Sequence, residues 1–469
     1  MPARDTEPFP RAVLDVLGAA ADRPVFEHGT RVVTGAEMLD LVARVAAGLR
    51  AKGLGPGDGL ALLLGVTPEA FATILAAHAV GARVVGVRPG LTDAQVRHLL
   101  GLDIAAVVTD AEDGEPVATL PRLDVAALLA HSPAPLRCEG RPDDVARLIH
   151  TSGSTGAPKA CAQTYASISN AWNVRPDAWP PVIRDLAPRL GRYLVFGTLS
   201  SYVMFEYAVL TLTAGGTVVA AGDPADAITR LRATARVITV PGLAKLVAAQ
   251  KSAPADLSTL RALLVSGSPL TAERHREALD VLGPVLFHGY GQTETGMISM
   301  AGPSDPPGTV GTPPTDVEIR DGELFVRTPA QASSYWGAPR ESAEVFVDGW
   351  VRTRDLGRFD DDGNLVLTGR ARDVVIVNAN LHYIGPIEHA VAEHPDVAEA
   401  YVVAVPDDET GEAVHAFVVP KSDRVPELDE LRALVTARLG AACAPVRVTA
   451  IAEIPVAPSG KPDKRQLTA

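Results

Sequence analysis

Apolar positions along the chain alternate between two textures. Behind Thr34 and Glu37, which fit a capping box, Met38, Leu41, Val42, Val45 and Leu49 recur at helical spacing. A glycine-rich turn over 53–58 follows, then a short continuous apolar run at 60–64 with the length of a buried strand. Residues 68–80 predict a helix and 83–87 another buried strand, and strand-like runs return at 216–220, 237–240 and 262–265. Short apolar runs separated by helical patterns predict an α/β domain with substantially parallel sheets. After Gly369 the texture changes. Strands are expected at 374–377, 400–405 and 414–419 and helices at 386–393 and 428–439, a small α+β module. The domains are therefore expected to be 1–369 and 370–469. The proline-rich piece 303–314 reads as an ordered connection, and no solenoid repeat is visible.

A chain of 469 residues is too long for one ordinary core, in keeping with a large and a smaller domain. With 43 basic and 56 acidic residues, the net charge of −13 argues against nonspecific binding to nucleic acid or to an anionic membrane. Cys138, Cys161 and Cys443 are odd in number, far apart and without metal-ligand spacing, so a reducing cytoplasm is expected rather than a disulfide framework or zinc. Residues 1–8 have no apolar signal core, and the longest apolar runs are too short to span a bilayer.

Two segments carry candidate chemistry. Thr151-Ser152-Gly153-Ser154-Thr155-Gly156-Ala157-Pro158-Lys159 follows an apolar strand. Its small residues permit a tight turn with amides and hydroxyls pointing inward, a cradle for phosphate oxygens, and Lys159 adds positive charge. Taken alone, such a stretch is as often a polar surface loop. It lacks the Gly-Lys-Ser/Thr of a Walker loop, which sets aside a P-loop kinase. The second segment is Gly289-Tyr290-Gly291-Gln292-Thr293-Glu294-Thr295-Gly296. Its glycines allow a flat ligand close to the backbone, and a hydroxyl beside a carboxylate suits a phosphate oxygen and Mg²⁺. The alternative is a strand-end turn with a solvated Glu.

With Gly322-Glu323-Leu324, Asp355, Gly369-Arg370 and Pro458-Ser459-Gly460-Lys461, these segments closely resemble the adenylate-forming superfamily. That superfamily contains acyl- and aryl-CoA synthetases, adenylation domains of nonribosomal peptide synthetases, and firefly luciferase. The resemblance runs from about residue 30 to residue 468 in the family's order. It implies that Thr151, Ser152, Gly153, Ser154, Thr155, Gly156 and Lys159 cover the β- and γ-phosphates of ATP. It implies that Gly289, Tyr290 and Gly291 line the adenine and acyl region, that Thr293 binds the α-phosphate and that Glu294 holds Mg²⁺. Asp355, with Arg370 nearby, would bind the ribose hydroxyls. Lys461 would bridge the substrate carboxylate and the α-phosphate when the second domain closes.

Three departures from the family pattern bear on function. Thr353-Arg354-Asp355 stands where the family shows Thr-Gly-Asp, so Arg354 either reshapes the loop or points to solvent. Ala379 stands about where a glycine flanks the family's thiol channel, and an added methyl would narrow it. Amino-acid-activating members carry an Asp for the substrate ammonium, yet residues 199–203 contain no Asp and no His. A buried ammonium without a partner is costly, so an ordinary α-amino acid is disfavoured. A pocket of Ser201, Tyr202, Ser266, Gly267, Ser268 and His288 suits an aryl or short acyl acid. His288 reads as a pocket residue or a buried histidine satisfied by backbone, with the pocket preferred. Glu206 reads as the receiver of a more distant amine or as a structural carboxylate.

The expected activity is ATP- and Mg²⁺-dependent formation of an acyl-AMP from a carboxylic acid. Transfer to a thiol of CoA, or to the phosphopantetheine of a separate carrier protein, would follow. The rivals are transfer to a nitrogen nucleophile and a nucleotide-sensing pseudoenzyme.

Overall fold

The computed structural model describes residues 7–88, 93–110, 120–150, 159–221, 227–267, 270–378, 380–407, 409–457 and 462–467. Among these, two large sheets share one apolar core. The eight-stranded sheet runs in the order Gly296–Ala301, Leu286–Gln292, Ala262–Ser266, Ala235–Thr239, Arg192–Val195, Thr217–Ala220, Pro24–His28, Arg31–Thr34. Its inner six strands are parallel and its two outer strands antiparallel. In the seven-stranded sheet, Val145–His150, Arg83–Gly86, Gly59–Leu63, Ala106–Thr109 and Arg122–Asp124 are parallel neighbours. Ala160–Thr164 and Ser334–Tyr335 extend this sheet antiparallel.

Leu60, Leu62 and Val84 of one sheet and Val195, Val218 and Leu264 of the other belong to the same core cluster, with Phe71, Leu75 and Val209 from helices. Helix Pro68–Ala79 is buried around nearly its whole circumference, which explains why its sequence is apolar without a polar stripe. Helix Gly35–Ala51 starts with the expected capping box, Thr34 and Glu37 bonding reciprocally.

A third, five-stranded antiparallel sheet comprises Asp316–Arg320, Glu323–Arg327, Trp350–Phe359, Phe346–Val347 and Leu365–Arg370. The parallel reading did not anticipate it. Segment 303–314 is an ordered connection, stitched to this sheet by reciprocal backbone bonds between Val310 or Gly311 and Leu365.

The chain leaves the third sheet at Arg370 and enters a fourth at Val374. That sheet holds Asn380–Tyr383, Val374–Val377, Gly411–Pro420, Val397–Asp407 and Arg447–Ala450. Its core takes in Ile387, Val391, Leu431 and Val435 from helices Ile384–Ala392 and Leu428–Leu439. The first of these helices starts at Ile384, two residues before the expected 386, because a proline in the first turn is tolerated.

Candidate active site

The glycine-rich second segment is not itself a turn. Leu286–Gln292 is a strand, and it pairs antiparallel with Gly296–Ala301. Only Thr293, Glu294 and Thr295 form the connection, at the edge of the eight-stranded sheet. The two strands cross so closely that a Cβ on Gly291 would lie 2.3 Å from the carbonyl oxygen of Gly296. Thr295 Oγ1 accepts from the backbone N–H of Gln292 at 3.1 Å and closes the turn.

This hairpin fixes Asp355. The Tyr290 hydroxyl donates to Asp355 Oδ2 at 2.8 Å, and Gln292 Nε2 donates to the same oxygen at 2.6 Å. Arg370 Nε lies 3.3 Å from the other carboxylate oxygen, since Asp355 and Arg370 face each other across paired strands. The Asp355 residue is 7% exposed, and these donors offset the cost of burying its charge. The Tyr290 ring is buried. It packs among Ile298, Val310, Leu324, Val326 and Leu365, and only its hydroxyl reaches the carboxylate. Burial and the neighbouring Asp355 push the Tyr290 phenol pKa far up, so it stays a donor.

Arg354 takes neither expected course. It adopts φ 61°, the left-handed geometry a glycine would supply, and its guanidinium pairs with Glu344 at 3.0 Å. Asp355, the next residue, stays in reach of Tyr290, Gln292 and Arg370.

Glu294 is half-buried and held by neighbours. The Tyr335 hydroxyl donates to Glu294 Oε1 at 2.7 Å, and the Glu294 carbonyl accepts from Ala332 N–H at 2.8 Å. Strand Ser334–Tyr335 pairs Tyr335 with Cys161 on Ala160–Thr164, directly after Lys159. Lys159 Nζ then sits 5.1 Å from the centre of the Tyr335 ring, within cation–π range. Burial and the Glu294 carboxylate both push the Cys161 thiol pKa strongly up. Tyr335 thus joins the two motif segments. The sequence reading missed it; its one signal is an aromatic pair, Tyr335-Trp336, just before Gly337 and Pro339.

On the acyl side, Ser201 precedes helix Tyr202–Thr213, Ser266 ends its strand and Gly267 has φ 97°. His288 is 4% exposed, with Nδ1 3.4 Å from the Thr309 carbonyl. Tyr202 and Glu206 lie one turn apart on the helix. The guanidinium of Arg147 stacks 4.1 Å from the Tyr202 ring centre, and its Nη2 is 3.8 Å from Glu206 Oε1. Burial raises the Glu206 pKa to about 7 against the opposing pull of Arg147. Thr151, Ser152, Gly153, Ser154, Thr155, Gly156, Ser268, Ala379 and Lys461 lie outside the described residues.

Residues 16–336 match the model of the AMP-binding enzyme family, and residues 386–461 match that of the AMP-binding enzyme C-terminal domain. The chain belongs to the AMP-binding enzyme family. A feruloyl-CoA synthase of an Amycolatopsis species is 32% identical over 92% of this AMP-binding enzyme and 93% of its own length. A fatty acid–[acyl-carrier-protein] ligase of Streptomyces coeruleorubidus is 30% identical over 90% of this chain and 89% of its own. Among solved structures, an amide bond synthetase from Marinactinospora thermotolerans superposes with a TM-score of 0.84 at 33% identity, covering 97% of this chain and 98% of that one.

Proposed function

We propose that this AMP-binding enzyme condenses a small carboxylic acid, aryl or short acyl, with ATP to give an acyl-AMP and pyrophosphate. It then passes the acyl group to a thiol, of CoA or of a carrier protein's phosphopantetheine. The observation that carries the reading is the convergence on one hairpin of a buried, triply held aspartate, the Thr293–Glu294 turn and Lys159.

In this reading Asp355 and Arg370 take the ribose hydroxyls, the Asp355 carboxylate accepting from both. Thr293 and Lys159 take phosphate oxygens. A carboxylate oxygen of the acid attacks the α-phosphorus, the bond from that phosphorus to the bridging oxygen breaks, and pyrophosphate leaves. Two anions meet in this step, so fixed positive charge and in-line placement supply most of the acceleration. A magnesium ion bound with the nucleotide would neutralise triphosphate charge. Glu294, a hard oxygen donor oriented by Tyr335, fits such an ion. Lys461, on the C-terminal lid, supplies a further charge when that lid closes.

The test is acid-dependent pyrophosphate release from MgATP across aryl, short-chain, long-chain and amino carboxylic acids. A response to aryl or short acyl acids is expected, and silence with ATP still bound would overturn the reading in favour of a nucleotide sensor. Nitrogen is the second acceptor reading, favoured by the extent of similarity to the amide bond synthetase. Supplying CoA, a phosphopantetheinylated carrier or amines to the preformed acyl-AMP separates the two. Among the described residues no helix is long and apolar enough to cross a membrane. The free Cys138, Cys161 and Cys443 support placing the enzyme in a reducing cytoplasm.

A further inference from the structure

Residues 371–373 join strand Leu365–Arg370 of the third sheet to strand Val374–Val377 of the fourth, and they are held on both sides. Ala371 N–H donates to the Arg354 carbonyl at 2.8 Å, and the Asp373 carbonyl accepts from Ile384 N–H at 2.8 Å. Beside them stands Glu344, on helix Pro339–Val345. One of its oxygens, Oε2, faces two guanidiniums, with Arg354 Nη2 at 3.0 Å and Arg372 Nη2 at 4.0 Å. A carboxylate of the large part thus restrains the side chain at the middle of the connection.

The tightest contact lies just upstream. Helix Ile384–Ala392 of the C-terminal part crosses strand Leu365–Arg370 through two glycines. A Cβ on Gly385 would lie 2.4 Å from the Thr368 carbonyl oxygen and 2.5 Å from Gly369 Cα, and one on Gly369 would lie 2.9 Å from Gly385 Cα. These are backbone atoms, which cannot swing aside as a side chain can. Gly385 sits in the first turn of its helix, where alanine is the better helix former, so the helix itself gives no reason for a glycine. The close crossing does. It falls one residue from Arg370, which faces Asp355 across the paired strands.

We propose that the Gly369–Gly385 crossing and the Glu344 restraint form a latch that holds the C-terminal part in this one arrangement and opens before that part turns about residues 371–373. The crossing supplies the shape, since only two bare backbones meet at this distance. The ion pairs, half-exposed and weak alone, keep the connection from fluctuating out of place. The latch rests on the lid role proposed for the C-terminal part and regulates it. Because Gly369 precedes Arg370, opening the crossing also loosens the pair proposed to take the ribose.

The experiment is limited trypsin digestion of the whole enzyme without acid or ATP, read by mass spectrometry. The Arg370 and Arg372 side chains are half-exposed while their backbone is tied down, so cleavage after them reports opening of the latch. Lys251, half-exposed at the end of helix Val240–Ser252, is the internal control. Gly385→Ala should speed cleavage after Arg370 and Arg372 about fivefold or more and leave cleavage after Lys251 unchanged. Glu344→Gln, a surface change, should speed it about twofold at low salt. A folded Gly385→Ala cleaved like the parent, or rates that rise equally after Lys251, would overturn the latch. Should Gly385→Ala fail to fold, Glu344→Gln cleaved like the parent would overturn it. The digestion needs neither substrate, so failure of the acid-adenylating reading shows separately, as the absence of pyrophosphate release from any acid.

Discussion

Tyr335 contributes a single hydroxyl to the candidate site, and its position defines what that atom does. It holds one oxygen of Glu294 at 2.7 Å while the ring faces Lys159. Tyr335→Phe keeps the ring, its packing on Phe346 and the short strand, and deletes only the bond. A hydrogen bond to a charged group is worth about 1.5–3 kcal/mol, so Mn²⁺ binding in the presence of ATP should weaken roughly ten- to a hundredfold. Electron paramagnetic resonance of Mn²⁺ reads this directly, and an unchanged affinity would remove Tyr335 from the metal site. Glu206 makes a second prediction, through pH. Its folded pKa, raised to about 7 by burial, lies above the ordinary carboxylate value of 4.5. The folded protein then holds a proton that the unfolded chain has released. The Glu206 contribution is therefore favourable below pH 4.5 and is lost as pH rises through about 7. Arg147, Tyr202 and Tyr207 face the same carboxylate and are unaltered in Glu206→Gln. That variant should gain stability relative to the parent between pH 5 and pH 8, by on the order of 3 kcal/mol at most. Paired melting curves at the two pH values check the sign.

At the scale of elements, the strands that proved easiest to read are those buried on both faces, such as Gly59–Leu63 and Ala262–Ser266, whose continuous apolar runs have no other use. The third sheet was illegible for the converse reason. Asp316–Arg320 is exposed along almost its entire length, and Phe346–Val347 has only two residues, so neither carries a hydrophobic period. The pairing of Tyr335 with Glu294 spans 41 residues and is invisible to any local pattern. Arg354 shows how a non-glycine residue can occupy a left-handed position. The position demands φ 61°, and Arg meets it at a cost of about 1–2 kcal/mol, partly offset by Glu344. Arg354→Gly should therefore stay within about 1 kcal/mol of the parent, whereas the β-branched Arg354→Val should lose roughly 2 kcal/mol or more. Urea denaturation of the two variants distinguishes a required backbone geometry from a required ion pair, since a dominant ion pair would make both equally unstable.

Across the whole molecule, helix Ala272–Leu282 of the eight-stranded sheet meets the fourth sheet through two ion pairs of opposite polarity. Arg274 pairs with Glu399, and Glu273 with Lys421 at 2.7 Å. The outer pair of Lys245 and Glu453, about three-quarters exposed on each side, adds little. Charge, rather than a continuous apolar seam, marks these contacts, and such contacts are made and broken at smaller cost than a hydrophobic core. That suits the lid role proposed for the C-terminal unit, in which Lys461 is brought to the hairpin for one step and withdrawn for the next. If Lys461 acts only in the closed arrangement, on charge that accumulates as the acid attacks the α-phosphorus, removing it should spare the ground state. Lys461→Ala is thus expected to bind ATP within a few-fold of the parent and to release acid-dependent pyrophosphate at least a hundredfold more slowly, about 3 kcal/mol of transition-state stabilisation. Equilibrium ATP binding and single-turnover pyrophosphate release on the same preparation separate the two terms. Loss of ATP affinity to match the rate would place the lysine in substrate binding, and a near-normal rate would mean that the adenylation step draws its positive charge from Lys159, Arg370 and the metal instead.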